Sequence, residues 1–167
     1  MISNRCTRKS LVTNCNSIIS KNYLRFLVDS NDMKKVLTFG VYDLTHIGHV
    51  KLFEKAKSFG DYLIVAVQDG KYVKINKPTA HEIYTTEERC YMVSSLKSVD
   101  EVITYKSVDE DIQHIDFDVF VIGEDQKHIG FQKAVEWCNS NNKEVHILPR
   151  TKGISTSELV IRIKDIF

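Results

Sequence analysis

The 167-residue sequence has no apolar run that approaches the roughly 20 residues a membrane-spanning helix needs. Its net charge is only +1, so nothing in the overall charge points to a nucleic-acid partner. The four cysteines form no CxxC pair and no dense framework, which favours a reduced protein over a disulfide scaffold. We therefore expect an ordinary globular protein of the cytoplasm, with no membrane and no nucleic acid among its partners.

Acidic residues are also missing from the start of the chain, where Asp29 is the first. Residues 1–33 carry five basic and two acidic side chains, a net charge of +3, and residues 34–167 carry a net charge of −2. The leader could be a transit peptide, a small ordered extension, or non-native residues upstream of a true start at Met33. We predict the last, with residues 34–167 as the single domain, because that stretch forms a complete pattern without the leader.

The rest of the sequence alternates between buried apolar runs and helical periods. Strands are predicted at 34–40, 61–67, 100–105, 118–123 and 144–148, and helices at 46–60, 85–96, 107–115, 131–140 and 155–167. Capping boxes are predicted for the pairs Thr85 and Glu88, Ser107 and Glu110, and Ser155 and Glu158. This alternation predicts an α/β fold, a single doubly wound (Rossmann-like) domain with a five-stranded, mostly parallel sheet. Ligands of such sheets bind beyond the carboxyl ends of the strands, at the topological switch point.

The stretch TFGVYDLTHIGHV, residues 38–50, covers the end of the first predicted strand and the start of the helix after it. Three interpretations are open: a solvated helix start, a metal site of Asp43, His46 and His49, or a phosphate site. We favour the phosphate site, because a helix N-terminus offers free N–H groups and a positive dipole end to anions. Two imidazoles there could donate further hydrogen bonds, and Gly40 and Gly48 permit close approach.

A second stretch, PRTKGISTSE at residues 149–158, follows the fifth predicted strand and opens the last helix. Its small residues and hydroxyls would supply donors at the helix start, and Arg150 adds a planar guanidinium suited to phosphate. Taken alone, it could equally be a plain capped helix with an arginine in the preceding loop. Two helix starts of this kind in one small domain predict a clamp for a polyphosphate.

The two stretches carry a family resemblance. GVYDLTHIGH resembles the first signature of the cytidylyltransferase family of the nucleotidyltransferase superfamily, and RTKGISTS resembles that family's second signature. The segments GDYLIVAV, EER, VDEVI and VIGED also follow the family's order, so that the resemblance covers residues 34–167. The first signature marks only the superfamily, and the second is more specific and indicates CTP.

The resemblance implies roles for individual residues. His46 and His49 would contact the triphosphate, and Lys74 and Lys77 would bridge CTP and the acceptor phosphate. The implied catalytic residues are His46, His49, Lys74, Lys77 and Arg150. The implied nucleotide-binding residues are Val41, Tyr42, Asp43, Arg89, Asp125, Thr151, Gly153, Ile154, Ser155 and Thr156. Mg²⁺ is the implied cofactor; it would accompany the triphosphate with few direct protein ligands, so no dedicated metal site is expected.

The implied activity is that of an enzyme, a CTP-dependent nucleotidyltransferase that converts a small alcohol phosphate into a CDP-alcohol and pyrophosphate, as a homodimer. Chain size matches family members that use glycerol 3-phosphate, which is the expected acceptor. The acids Asp109, Glu110 and Asp111 stand where those enzymes carry lysine, and an acidic rim would instead suit choline or ethanolamine phosphate. An adenylyltransferase for a sugar phosphate or flavin mononucleotide, and a non-catalytic nucleotide-binding module, are the remaining alternatives.

Overall fold

The computed structural model describes residues 33–76 and 82–166. The predicted leader, apart from Met33, lies outside these residues, and so does Lys77, so the boundary at residue 33 stays a prediction. The strands are β1 Lys35–Gly40, β2 Tyr62–Gln68, β3 Glu101–Tyr105, β4 Val119–Gly123 and β5 Glu144–Leu148. The helices are α1 Ile47–Lys57, α2 Gly70–Asn76, α3 Thr86–Ser94, α4 Val108–Asp111, α5 Ile129–Ser140 and α6 Thr156–Lys164, and a 3-10 turn, Ile112–His114, follows α4.

All five strands are parallel and lie in the order β3-β2-β1-β4-β5, which confirms the predicted doubly wound sheet. The chain builds outward from β1 through β2 to β3, then returns to the other side of β1 for β4 and β5. The switch point therefore falls between β1 and β4, and this is where such a sheet opens a crevice for ligands.

Side chains on both faces of the sheet are buried, as expected for parallel strands with near-continuous apolar runs. On one face Phe39 and Phe120 pack with Ile112 from the 3-10 turn and Ala134 from α5. On the other face Val65 packs in a cluster that includes residues of α1 and α3. The helices packed on the two faces cover the sheet, and the functional loops lie at the carboxyl ends of the strands.

The helix starts differ in part from the predicted caps. The box of Thr85 and Glu88 is confirmed, because Thr85 Oγ1 accepts the Glu88 N–H and Glu88 Oε2 accepts the Thr85 N–H. Ser155 Oγ accepts the Glu158 N–H at 3.1 Å, one half of the predicted box. The box predicted at Ser107 is wrong, since that side chain makes no capping bond to the helix. The carboxylate of Asp111 accepts the N–H groups of residues 106 and 107 instead.

Helix α2 lies between the second predicted strand and the second predicted helix and was not predicted. Among the residues described, no helix is long and apolar enough to cross a membrane.

Candidate nucleotide site

The loop after β1 turns back sharply on the strand end. Tyr42 has a positive φ of 55°, and its buried hydroxyl lies 3.3 Å from Thr38 Oγ1. A β-carbon at Gly40 would lie 2.6 Å from the Tyr42 ring, so only glycine fits there. Burial raises the pKa of Tyr42, so the phenol stays neutral. The turn sets the start of α1 at the carboxyl edge of the sheet.

The two histidines of this loop cap α1 with their own side chains. His46 is the N-cap residue, and its Nδ1 accepts the Gly48 N–H at 3.1 Å. The His49 Nδ1 lies 3.4 Å from the His46 backbone nitrogen and accepts its N–H. The rings stack with centroids 3.9 Å apart. Because each Nδ1 accepts a backbone N–H, each neutral ring carries its proton on Nε2. The pair therefore offers two Nε2–H donors beside a helix N-terminus.

Both imidazoles are neutral at physiological pH. Burial lowers the pKa of His49 to about 4, with the neighbouring His46 adding to the decrease. Burial also lowers the pKa of His46, and the positive charge of Arg150 adds to that decrease. Arg150 belongs to the second sequence motif and His46 to the first, so this effect means that the two motifs lie near each other.

Asp43 joins three segments of the site. Its carboxylate accepts the N–H groups of Ile83 at 2.8 Å and Tyr84 at 3.0 Å, and its own carbonyl accepts the Thr156 hydroxyl at 3.0 Å. The carboxylate is buried and both of its oxygens are engaged. Together with the occupied Nδ1 atoms of the histidines, this geometry argues against the metal-site interpretation of Asp43, His46 and His49.

The start of α6 packs directly against the start of α1. A β-carbon at Gly48 would lie 3.3 Å from Ile154 Cγ2, and Thr156 bonds to the α1 loop through Asp43. Gly153 has a φ of 74°, a left-handed conformation that favours glycine and turns the chain into the helix. Ser155 is buried as the cap of α6, and Thr151 is half-buried in the same loop. Two helix N-termini thus meet at one end of the sheet.

The ends of β4 and β5 supply the other wall. Arg150 Nη1 lies 3.6 Å from Asp125 Oδ2, an ion pair that is about half exposed on both sides. The Arg150 N–H donates to Glu124 Oε1 at 2.9 Å. Asp125 and Arg150 are therefore neighbours at the carboxyl ends of adjacent strands, and their roles in nucleotide binding stay predictions.

Arg89 lies beneath the site, with no exposed surface. Its Nη1 donates to the carbonyls of Val41 at 2.7 Å and Gln68 at 2.8 Å, and its Nε donates to the Tyr84 carbonyl at 3.3 Å. The guanidinium thus fixes the loop after β1 to the end of β2 and to the start of α3. A direct contact between Arg89 and the nucleotide stays a prediction.

The lysines lie on the β2–β3 side of the crevice. Lys74 is exposed on α2. Lys106, which the sequence analysis did not single out, follows β3 and has its Nζ 5.9 Å from the centre of the Tyr72 ring on α2. This contact places the Lys106 side chain beside the helix that carries Lys74.

Strand order, crevice and paired helix starts define an α/β domain of the nucleotide-binding class. Residues 37–162 match the family model described as Cytidylyltransferase-like, and the chain belongs to this family. It is 42% identical to a glycerol-3-phosphate cytidylyltransferase of Bacillus spizizenii and 38% identical to one of Staphylococcus aureus, in each case over 76% of this chain and 95% or 92% of the relative. The resemblance inferred from the two motifs is thereby confirmed.

Other relatives are larger or differ more. The bifunctional protein HldE of Campylobacter jejuni is 34% identical over 89% of this chain, but the match spans 32% of that protein. A solved structure, the lipopolysaccharide core biosynthesis protein of Thermoplasma volcanium, has a TM-score of 0.60 at 26% identity and covers 73% of this chain and 99% of the other. These matches support the α/β fold.

Proposed function

We propose that this protein transfers CMP from CTP to glycerol 3-phosphate, giving CDP-glycerol and pyrophosphate. The observation that carries the proposal is the meeting of the α1 and α6 starts, tied together by the Thr156–Asp43 hydrogen bond. Two helix N-termini, each with a positive dipole end, suit a triphosphate better than a single phosphate group. CTP as the nucleotide and glycerol 3-phosphate as the acceptor are inferred from the names of the relatives.

The reaction needs positioning and charge stabilisation more than acid–base catalysis. A non-bridging oxygen of the acceptor phosphate forms a bond to the α-phosphorus of CTP, and the bond from that phosphorus to the β-phosphate oxygen breaks. The acceptor phosphate is already anionic at neutral pH, so no general base is required. The Nε2–H groups of His46 and His49 would donate to oxygens that gain negative charge, and Arg150 would add a positive charge.

The neutrality of the histidines fits this role. A neutral imidazole whose Nδ1 is already occupied can donate only from Nε2, so the donors are fixed in direction before CTP arrives. Donors held in place need no reorganisation as the charge develops, which is where such groups contribute most to the rate.

The acceptor would enter from the β2–β3 side, opposite the wall formed by Asp125 and Arg150. Lys74 and Lys106 on that side would offset the repulsion between two anionic phosphates, a role that the resemblance also implies for Lys77. Two of the three acids that raised the choline alternative are otherwise engaged: Asp111 caps residues 106 and 107, and Asp109 pairs with Lys133 at 3.2 Å. This engagement favours glycerol 3-phosphate over a cationic acceptor.

We also propose that Mg²⁺ accompanies CTP and neutralises part of its charge, bound chiefly by phosphate oxygens and water. The carboxylates nearest the crevice suit this arrangement, because Asp43 accepts two backbone N–H groups and Asp125 pairs with Arg150. From the resemblance we also propose that the protein is a homodimer, and sedimentation would test this oligomeric state. A cytoplasmic location is supported by the free thiols of Cys90 and Cys138.

Pyrophosphate release tests the proposal, with CTP or ATP offered against glycerol 3-phosphate, phosphocholine, phosphoethanolamine and a sugar phosphate. We expect release only with CTP, and fastest with glycerol 3-phosphate. Faster release with ATP would replace the proposal with an adenylyltransferase. CTP binding without release in any pair would support the non-catalytic alternative.

A further inference from the structure

The strands β1 and β4 part before they end. The pairing of β1 with β2 runs to Gly40 and Val67, and that of β4 with β5 runs to Gly123 and Leu148. The pairing of β1 with β4 stops at Leu37 and Phe120. The last residues of the two central strands therefore diverge, and this divergence opens the crevice.

One side chain spans the gap. Gln126 Oε1 accepts the Gly123 N–H of β4 at 2.8 Å, and its Nε2 donates to the Phe39 carbonyl of β1 at 2.7 Å. The carboxamide thus takes the place of a peptide group between the strands, with one acceptor and one donor in the required directions. Both bonds have ordinary lengths and are partly shielded from water, so they hold the strand ends at a fixed separation.

A second side chain fixes the neighbouring gap. Glu124 Oε1 accepts the Arg150 N–H, and the Glu124 N–H donates to the Leu148 carbonyl at 2.9 Å. Asp125 stands between Glu124 and Gln126 in the sequence, and its carboxylate pairs with the Arg150 side chain. Consecutive residues thus tie β4 to β1 on one side and to the loop after β5 on the other.

We propose that Gln126, assisted by Glu124, is a positioning residue that sets the width of the nucleotide crevice and holds Asp125 and Arg150 in the geometry that binds CTP. The inference rests on the proposed function, because it takes CTP as the ligand of this crevice. Neither residue needs to touch the nucleotide. Loss of one such bond is expected to weaken CTP binding about tenfold and to leave the KM for the acceptor within about twofold.

The substitution Gln126→Glu provides the sharpest test, because it preserves the shape and the acceptor oxygen and replaces the donor to Phe39 with a carboxylate oxygen, which is negatively charged at pH 8. The introduced carboxylate would face the Phe39 carbonyl without a hydrogen bond, and protonation would restore the donor. We expect the Kd for CTP, measured by calorimetry, to be about tenfold weaker than wild type at pH 8 and to recover towards the wild-type value at pH 5.5.

Gln113→Glu is the matched control, since Gln113 Nε2 also donates to a backbone carbonyl, that of Asp109 at 2.8 Å, but precedes β4 at the other end of the sheet. Measuring the control and the wild type at both pH values corrects for effects of pH on CTP and on the histidine pair, in the presence of the same charges of Glu124, Asp125 and Arg150 around the crevice. Thermal unfolding of each variant separates binding from stability. Glu124→Ala, at an exposed position, is a second variant that should weaken CTP binding about threefold.

A lower Tm for Gln126→Glu with an unchanged Kd for CTP would overturn the inference and leave a purely structural bond. Weakened binding that does not recover at pH 5.5 would also overturn it, because the donor to Phe39 would not be the cause. If Gln126→Glu does not fold, an unchanged Kd in Glu124→Ala overturns the inference. A wild-type protein that binds no CTP would refute the proposed function itself, and a wild type that binds CTP alongside unaffected variants would refute this inference alone.

Discussion

Replacing Arg89 with lysine should lower the stability of the fold rather than act directly on the reaction. The lysine ammonium keeps the charge but cannot reach the carbonyls of Val41, Gln68 and Tyr84 together, as the guanidinium does. Hydrogen bonds to a charged group contribute about 1.5–3 kcal/mol each, and the two shortest are those to Val41 and Gln68. We therefore expect the free energy of unfolding to fall by about 3–5 kcal/mol, which is the range found when a buried charge loses its partners.

Thermal unfolding measures this loss directly. A change of this size corresponds to a decrease of roughly 10 °C in Tm for a domain of this length. Arg162→Lys is a suitable control, because Arg162 is exposed and makes one described hydrogen bond, to the Gly153 carbonyl at 2.9 Å. It should lose less than about 1 kcal/mol. If Arg89→Lys lost CTP binding while its Tm stayed within about 2 °C of wild type, Arg89 would be a ligand contact and the argument from burial would be refuted.

Three further outcomes are expected. His46→Ala and His49→Ala should each lower kcat by ~10²–10³ with CTP and glycerol 3-phosphate, whereas His128→Ala, which removes a similar cap from α5, should not; equal turnover in all three would contradict the assignment. Burial lowers the pKa of His49 from 6.5 to about 4 in the folded protein, so the unfolded chain binds more protons as pH falls through this window. Stability should therefore fall by about 2 kcal/mol between pH 7.5 and pH 5, and His49→Asn should lose this component in chemical denaturation. Asp111→Ala should lower the free energy of unfolding by about 1 kcal/mol, because two hydrogen bonds to the backbone are lost, and Glu110→Ala should be near neutral. If the native enzyme had a strong phosphocholine activity and Asp111→Ala abolished it, these acids would instead recognise the acceptor.

The strands and the two motif-bearing helix starts could be predicted because their signals are local. Apolar runs marked each strand, and the caps at Thr85 and Ser155 depend on residues three positions apart. Helix α2 was missed because its seven residues are too few to show a helical period and include Val73 and Ile75, which favour strands. The cap at Ser107 was mistaken because Asp111 accepts the Ser107 N–H in place of Glu110, and the Ser107 hydroxyl donates to Asp109.

The ties beneath the site could not be predicted for a different reason. Arg89 and Gln126 bond to backbone carbonyls, and a carbonyl carries no mark of its partner in the sequence. Gln126 is 87 residues from Phe39, and Arg89 is 48 residues from Val41. A charged residue is also expected at the surface, so the complete burial of Arg89 runs against its usual preference. The motifs thus indicated which groups could meet phosphate, but not which groups hold them in place.

Strand order decides which part of the chain assembles against which. The strands β1, β2 and β3 are consecutive and pair with one another, and β4 and β5 join them only through β1. The nucleotide crevice is therefore a seam between an early and a late part of the chain, and contacts so distant in sequence are expected to form late in folding. A ligand that needs both sides of the seam stabilises the joined state, so saturating CTP should slow amide exchange most in β4 and β5. During synthesis, β1, β2 and β3 are made before β4, β5 and the last helix, so the crevice cannot be complete until the last helix has been made.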